Sequence, residues 1–283
     1  MGISPLGDFG DIMGKFDGKL LVSDMDKTLL NDNQEVSEKN LRAIRYFMSE
    51  GGKFSVASGR IVTTVRHYAK QIGINAPVLL YNGAMLYSYD EDRIMHECFI
   101  EEDRKAAIKR VYEEHSEFGI EIYSEGKGYI MRECFLSNRF ENLHCSVCRE
   151  VPDEVWQAPW TKVLIIGHKE DLDKFTPIYK SEYDRGNSVR SGDNFLDLVS
   201  NEASKGRGLK KLAQMLDIPL CNVYAAGDNM NDYDMIEIAG HGCAVGNAVD
   251  ELKSIADFIV PPYNEDAIAH IIYREPLKID SQS

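Results

Sequence analysis

Leu20-Leu21-Val22-Ser23-Asp24-Met25-Asp26-Lys27-Thr28-Leu29-Leu30 is an apolar run that ends in two carboxylates one residue apart, followed by a threonine. A short apolar run of this kind predicts a buried parallel strand. In open α/β sheets, ligands sit just outside the carboxyl ends of the strands. Asp24 and Asp26 would therefore emerge together where chemistry is usually placed. Some 200 residues later, Val223-Tyr224-Ala225-Ala226 runs straight into Gly227-Asp228-Asn229-Met230-Asn231-Asp232. Two acidic clusters at two strand ends are what a magnesium site assembled by folding would need.

Working outward from the first strand, Ser37 is a plausible helix cap, with Leu41, Ile44, Phe47 and Met48 following at helical spacing. Gly51-Gly52 stops that helix, and Phe54 to Ala57 reads as a second strand. Ser58-Gly59-Arg60 turns into another helix, and Pro77 to Leu80 reads as a third strand. This alternation predicts a parallel α/β sheet. From about Tyr87 the texture changes to hairpins and isolated helices, and the strand–helix alternation resumes after Arg190 with Phe195 to Val199. The expected division is a discontinuous Rossmann-like core, residues 1–86 and 191–283, with an α+β module inserted at 87–190. Met1 to Phe16 reads as a loosely structured leader.

Bulk properties narrow the function. The chain has 283 residues and a net charge of −14, which argues against a nucleic-acid groove. A phosphorylated substrate is still compatible, because one lysine, backbone amides and a metal bind a phosphate locally. Six cysteines are too few for a disulfide scaffold, and no stretch reaches the ~18 apolar residues of a membrane span. A cytoplasmic protein with no membrane partner is the expectation. Oligomeric state is not legible, since there is no sustained heptad.

The residue types suit phosphoryl chemistry. One carboxylate of a pair can attack phosphorus while the other moves the proton of the leaving oxygen. A serine hydroxyl and a glycine amide at Ser58-Gly59 can donate to phosphate oxygens, although such a turn alone is usually a helix cap. Lys205, behind Asn201-Glu202-Ala203-Ser204, can neutralise phosphate charge. Asp228 is a hard oxygen ligand suited to Mg²⁺, with Asn231 and Asp232 at the start of the next helix. His144-Cys145-Ser146-Val147-Cys148 offers one Cys-x-x-Cys beside a histidine, but no second pair completes a zinc site. Inert thiols are the reading there.

The motifs Asp24-Met25-Asp26-Lys27-Thr28, Ala57-Ser58-Gly59-Arg60, Ser204-Lys205-Gly206 and Gly227 to Asp232, in this order, resemble the haloacid dehalogenase superfamily. Tyr81-Asn82-Gly83-Ala84 and Ala244 to Ala248 are similar to its Cof-type branch of sugar-phosphate phosphatases. The resemblance spans about Lys19 to Ile272. It implies a cap inserted between the serine and lysine motifs. It also implies Asp24 as nucleophile and magnesium ligand, and Asp26 as general acid/base with its backbone carbonyl on the metal. Asp228 would be the remaining direct ligand and Asp232 would support the site from behind. Met25 and Gly59 amides, Ser58, Lys205 and Asn231 would bind the phosphate. The substrate would be a small phosphorylated metabolite. Lys27 departs from the family, where glycine is commoner. A phosphosugar mutase, a non-catalytic metabolite-binding protein and a metal-dependent glycosyltransferase are the rival readings.

Overall fold

The computed structural model describes residues 14–140, 147–149 and 151–274. Its larger sheet has eight strands. β1 (Leu20–Asp24) is buried at every position and lies between β2 (Lys53–Ala57) and, on its other side, a strand from the far end of the chain. Between β1 and β2 runs α1 (Glu38–Ser49), and α2 (Val62–Ile72) leads on to β3 (Val78–Leu80). Ser37 caps α1 by accepting from the Asn40 amide at 3.1 Å, as its sequence predicts. Phe16 does not belong to a loose leader. It is fully buried, with its ring centroid 4.9 Å from that of Phe47.

After β3 the chain reverses through Tyr81, Asn82 and Gly83, all at positive φ. The reversal feeds β4 (Met85–Ser88) back alongside β3, and β5 (Arg93–Glu97) pairs with β4. This hairpin was expected to open the inserted module. It extends the large sheet instead, because so tight a turn leaves no room to leave the sheet edge.

The chain then builds α3 (Glu102–Glu114), β6 (Gly119–Ser124), β7 (Lys127–Arg132), β8 (Val147–Cys148), β9 (Lys162–Ile166), α4 (Lys169–Ile178), β10 (Ser188–Gly192) and β11 (Phe195–Val199). These strands form a second, six-stranded sheet in the order β10-β11-β9-β6-β7-β8. Phe195–Val199 was expected to begin the returning core. It pairs antiparallel with β9, Phe195 opposite Ile166 and Val199 opposite Lys162, because its hairpin with β10 holds it in the smaller sheet. His144 and Cys145 lie outside the described residues.

Period-two alternation gives this sheet two different faces. Ile120, Ile122, Val163, Ile165, Leu196 and Leu198 pack on Ile108, Val111, Leu172 and Phe175 of the helices. Tyr123, Leu164, Ile166 and Val199 join the core of the larger sheet instead. Glu121, Lys162 and Asp197 share that second face and are buried.

The return path supplies α5 (Lys205–Met215), β12 (Val223–Gly227), α6 (Tyr233–Ile238), β13 (His241–Val245), α7 (Asp250–Ile255), β14 (Phe258–Val260) and α8 (Ala267–Tyr273). The large sheet reads β14-β13-β12-β1-β2-β3-β4-β5, parallel except for the last two strands. β1 and β12 are therefore neighbours, and their carboxyl ends carry the two acidic clusters side by side. Among the described residues, no helix is long and apolar enough to cross a membrane.

Candidate active site

Asp24 is the last residue of β1 and is buried. Beyond it the backbone curls back, with the Leu29 and Leu30 amides both donating to the Met25 carbonyl. Lys27 takes φ 60° in this curl, a left-handed conformation that costs a side chain about 1–2 kcal/mol. That is the physical reason for glycine being common there.

Lys205 arrives on the first residue of α5, whose cap Ser204 accepts from the Arg207 amide. Gly83 makes this placement feasible. At φ 88°, a Cβ on it would lie 2.0 Å from the Ser204 carbonyl oxygen. The Lys205 ammonium is fully buried and donates to Asp24 Oδ1 at 2.5 Å and Asp232 Oδ1 at 2.6 Å. Burial works to lower its pKa, but the Asp232 and Asp24 carboxylates outweigh burial and hold it above its ordinary value.

Asp228 follows β12 directly. Its loop is fixed by Asp232, whose Oδ2 accepts from the Asp228 amide at 3.0 Å and the Asn229 amide at 3.2 Å. Both oxygens of Asp232 are thus engaged within the protein. Asp24, Asp228 and Asp232 each present an oxygen within 4.8 Å of the others. Burial, then the charge of Asp232, push the Asp228 carboxyl from the ordinary 3.8 up to about 7, against the pull of Lys205 and Lys27. Burial also raises Asp24 well above the usual range, with Lys205 opposing and Asp232 and Asp228 reinforcing. Three carboxylates face a single ammonium, and the set is all hard oxygen. It fits a divalent cation such as Mg²⁺.

Asp26 stands apart from that cluster, its side chain half exposed. Arg60 grips it with both nitrogens, Nε to Oδ2 at 3.0 Å and Nη2 to Oδ1 at 2.6 Å, and also binds Gln34. Nothing in the spacing of Arg60 foretells this partnership, since the two residues are on different strand ends. Ser58 is buried beside β2, its Oγ accepting from the Arg60 amide at 3.1 Å. Asn231 reaches Asn82 Oδ1 at 3.4 Å.

These groups open onto a cavity of about 570 Å³. Its floor includes Asp24, Asp26, Ser58, Gly59, Asp228 and Asn231, and its roof includes Tyr123, Lys162 and Asp197 of the smaller sheet and Arg139 of the 3-10 turn at Ser137–Phe140. Of the polar residues on β6 and β7, Tyr123 lines the cavity. Glu121 is buried behind it, accepting from Tyr123 at 2.7 Å and from both Arg139 Nη atoms. Tyr129 packs on the helix side and is not a contact. Lys162 and Asp197 were missed. A lysine and an aspartate within otherwise apolar strands were the available signal.

A family description of haloacid dehalogenase-like hydrolases matches residues 21–272. Phosphatase YwpJ of Bacillus subtilis (strain 168) is 31% identical over 283 residues, covering 90% of this chain and 98% of its own. The crystal structure of a haloacid dehalogenase-like hydrolase from Bacteroides thetaiotaomicron is 26% identical with a TM-score of 0.77, covering 90% of this chain and 98% of its own. A subclass IIB sugar phosphatase shares the fold with a TM-score of 0.79 at 20% identity, covering 92% of this chain and 99% of its own. With the strand-end carboxylates, the buried lysine and the roofed cavity already in view, the match over nearly the whole chain shows that it belongs to the haloacid dehalogenase-like hydrolases, as a phosphatase of their Cof-type branch.

Proposed function

We propose that this phosphatase hydrolyses small phosphorylated metabolites, sugar phosphates or similar, with Mg²⁺ and through an aspartyl-phosphate intermediate. The observation that carries the reading is the buried Asp24–Lys205–Asp232 arrangement beside Asp228, open to a cavity of about 570 Å³. The sugar phosphatase among the structural neighbours supports the substrate class.

The roles follow from charge and access. Asp24 Oδ2, the oxygen not bonded to Lys205, attacks phosphorus while the bond to the leaving oxygen breaks. Asp26 stands at the mouth rather than in the buried cluster, and gives that oxygen its proton once it is released from Arg60, which holds both its oxygens in this arrangement. Asp26 then takes a proton from water, whose oxygen attacks phosphorus as the bond to Asp24 breaks. Lys205, Ser58, Asn231 and the amides of Met25 and Gly59 hold the phosphate oxygens. Catalysis of this kind is chiefly positioning and charge stabilisation. Asp24, Asp228 and the Asp26 carbonyl would hold Mg²⁺, which when bound supplies positive charge against the phosphate oxygens. Asp232 fixes Lys205 and the Asp228 loop.

We read residues 98 to 203, from the end of β5 to the start of α5, as the cap that excludes bulk water. Described cysteines are free, in keeping with a cytoplasmic protein. The test is inorganic phosphate release from a panel of phosphorylated metabolites, with Mg²⁺, with chelator, and with Asp24→Asn. Metal-dependent release that vanishes in the variant is expected. A folded protein that releases no phosphate from any ester, or keeps its rate in Asp24→Asn, refutes the reading. Transfer without release would point to a mutase.

A further inference from the structure

Lys162 on β9 and Asp197 on β11 are diagonal neighbours on the face of the smaller sheet that looks onto the cavity. Their ion pair, 2.7 Å long, is more than nine-tenths buried. Each also reaches across to the larger sheet. Lys162 Nζ donates to the Gly59 carbonyl at 3.1 Å, and Asp197 Oδ2 accepts from Asn82 Nδ2 at 2.8 Å. Asn82 in turn accepts from Asn231, and its amide donates to the Ser58 carbonyl at 3.0 Å. Ser191 steadies the far oxygen of Asp197 at 3.0 Å.

We propose that Lys162, Asp197 and Asn82 form a two-point latch, in which they are positioning residues that set the phosphate cradle when the cap is closed. The inference rests on the reading of Ser58, Gly59 and Asn231 as that cradle. The chemistry of the contact is complementary. The cap offers one donor and one acceptor, and the core offers one acceptor and one donor. Both charges belong to the cap, so opening does not pull an ion pair apart. It breaks two charge-assisted hydrogen bonds that water can replace. A buried pair split between the layers would instead be costly to separate. The core partners are neutral and sit on the two loops of the cradle. Asn82 is at φ 55° on a buried reversal whose backbone is tied to the Ser58 loop, Tyr81 N–H to the Arg60 carbonyl and Asn82 N–H to the Ser58 carbonyl. A Cβ on Gly59 would stand 3.1 Å from Asn82 Oδ1, so the two loops touch and shift together. The two segments that connect the layers meet near Glu101, whose Oε1 accepts from Ser200 Oγ and the Asn201 amide. Lys162 pairs with Val199, next to Ser200, so the latch continues this crossing along the cavity wall.

The test uses the whole chain, with Asp197→Asn and, separately, the combined Lys162→Met and Asp197→Leu. The second variant keeps the layer free of an unpaired buried charge, so it folds even if the first is weakened. Amide hydrogen exchange is read at Ser58–Arg60 and Tyr81–Gly83, and affinity for inorganic phosphate is read by calorimetry with Mg²⁺ present. Neither readout needs turnover, so a failed phosphatase assay would not touch the latch. Expected are exchange faster by about tenfold in those two segments, exchange unchanged in β1 and α5, and phosphate bound about tenfold more weakly. With a substrate that turns over, KM should rise more than kcat falls. Unchanged exchange at the two loops, exchange quickened equally everywhere, or phosphate affinity within about twofold of the parent would each overturn the latch.

Discussion

Replacing Asp228 by asparagine should stabilise the metal-free protein while destroying its response to Mg²⁺. The Asp228 carboxyl is pushed from 3.8 to about 7, and no hydrogen bond from its side chain is needed to hold the loop, which Asp232 fixes through backbone amides. A folded pKa above the unfolded one means that the folded state keeps its proton longer as pH rises. Stability is then fully present below about pH 4, declines between about pH 4 and 7, and is lost above that window. The gap of about 3 pH units corresponds to roughly 4 kcal/mol at pH 8 as an upper bound. Water entering the open cavity reduces this to about 1–3 kcal/mol. Asparagine has nothing to ionise and escapes the penalty. Urea unfolding in chelator, at pH 4.5 and pH 8, should show parent and variant close together at the lower pH and the variant ahead at the higher. Adding Mg²⁺ to about 100 times its dissociation constant should raise the parent by about 2.7 kcal/mol and leave the variant where it was. A variant less stable than the parent at pH 8 in chelator would show that the acidic cluster is not electrostatically strained, and the argument for a cation site would go with it.

On the proposed mechanism, Asp26→Asn should slow hydrolysis of alkyl phosphates by about 10²-fold or more, and of p-nitrophenyl phosphate far less, because only a poor leaving group needs the proton that Asp26 delivers. Equal losses on both substrates in steady-state kinetics would contradict this. Gly83→Ala should cost more than about 2 kcal/mol in urea unfolding and depress turnover, since its Cβ would meet the Ser204 carbonyl at 2.0 Å and push Lys205 off Asp24. Parent-like stability would mean that the reversal adapts. Lys27→Gly relieves the φ of 60°, about 1–2 kcal/mol, against about 0.5–1 kcal/mol of added chain entropy, so a melting point higher by about 2 °C is expected. A lower melting point would locate a stabilising role in the Lys27 side chain.

The core was legible because buried parallel strands leave an unmistakable trace. Leu20–Val22 and Val223–Ala226 are apolar runs that lead straight into the strand ends, and chemistry at strand ends needs no knowledge of the cap. What failed was the assignment of strands whose local pattern does not say which sheet they join. Met85–Ser88 reads the same whether it stays or leaves, and the left-handed turn at Tyr81 to Gly83 decides it. Phe195–Val199 is apolar except for Asp197, and that one aspartate marks a strand with a cavity on one face. A core strand covered on both sides would be apolar throughout. Partnerships such as Asp26 with Arg60, or Lys162 with Gly59, join residues 34 and 103 positions apart, and no periodicity carries such information.

On the proposed mechanism, the separation of the two aspartates explains why the first motif needs both. Asp24 is one of three clustered carboxylates, two of them buried, that face one lysine, where charge balance waits on a cation. A proton carrier in that cluster would have its charge state set by whatever fills the site. Asp26, two residues on, is turned out of it and tied to Arg60, half in solvent, where on that mechanism it would exchange protons with the leaving group and with water once Arg60 lets go. The curl at Lys27 redirects the two side chains, so that one short loop would serve the proposed attacking group and proton carrier in different electrostatic surroundings.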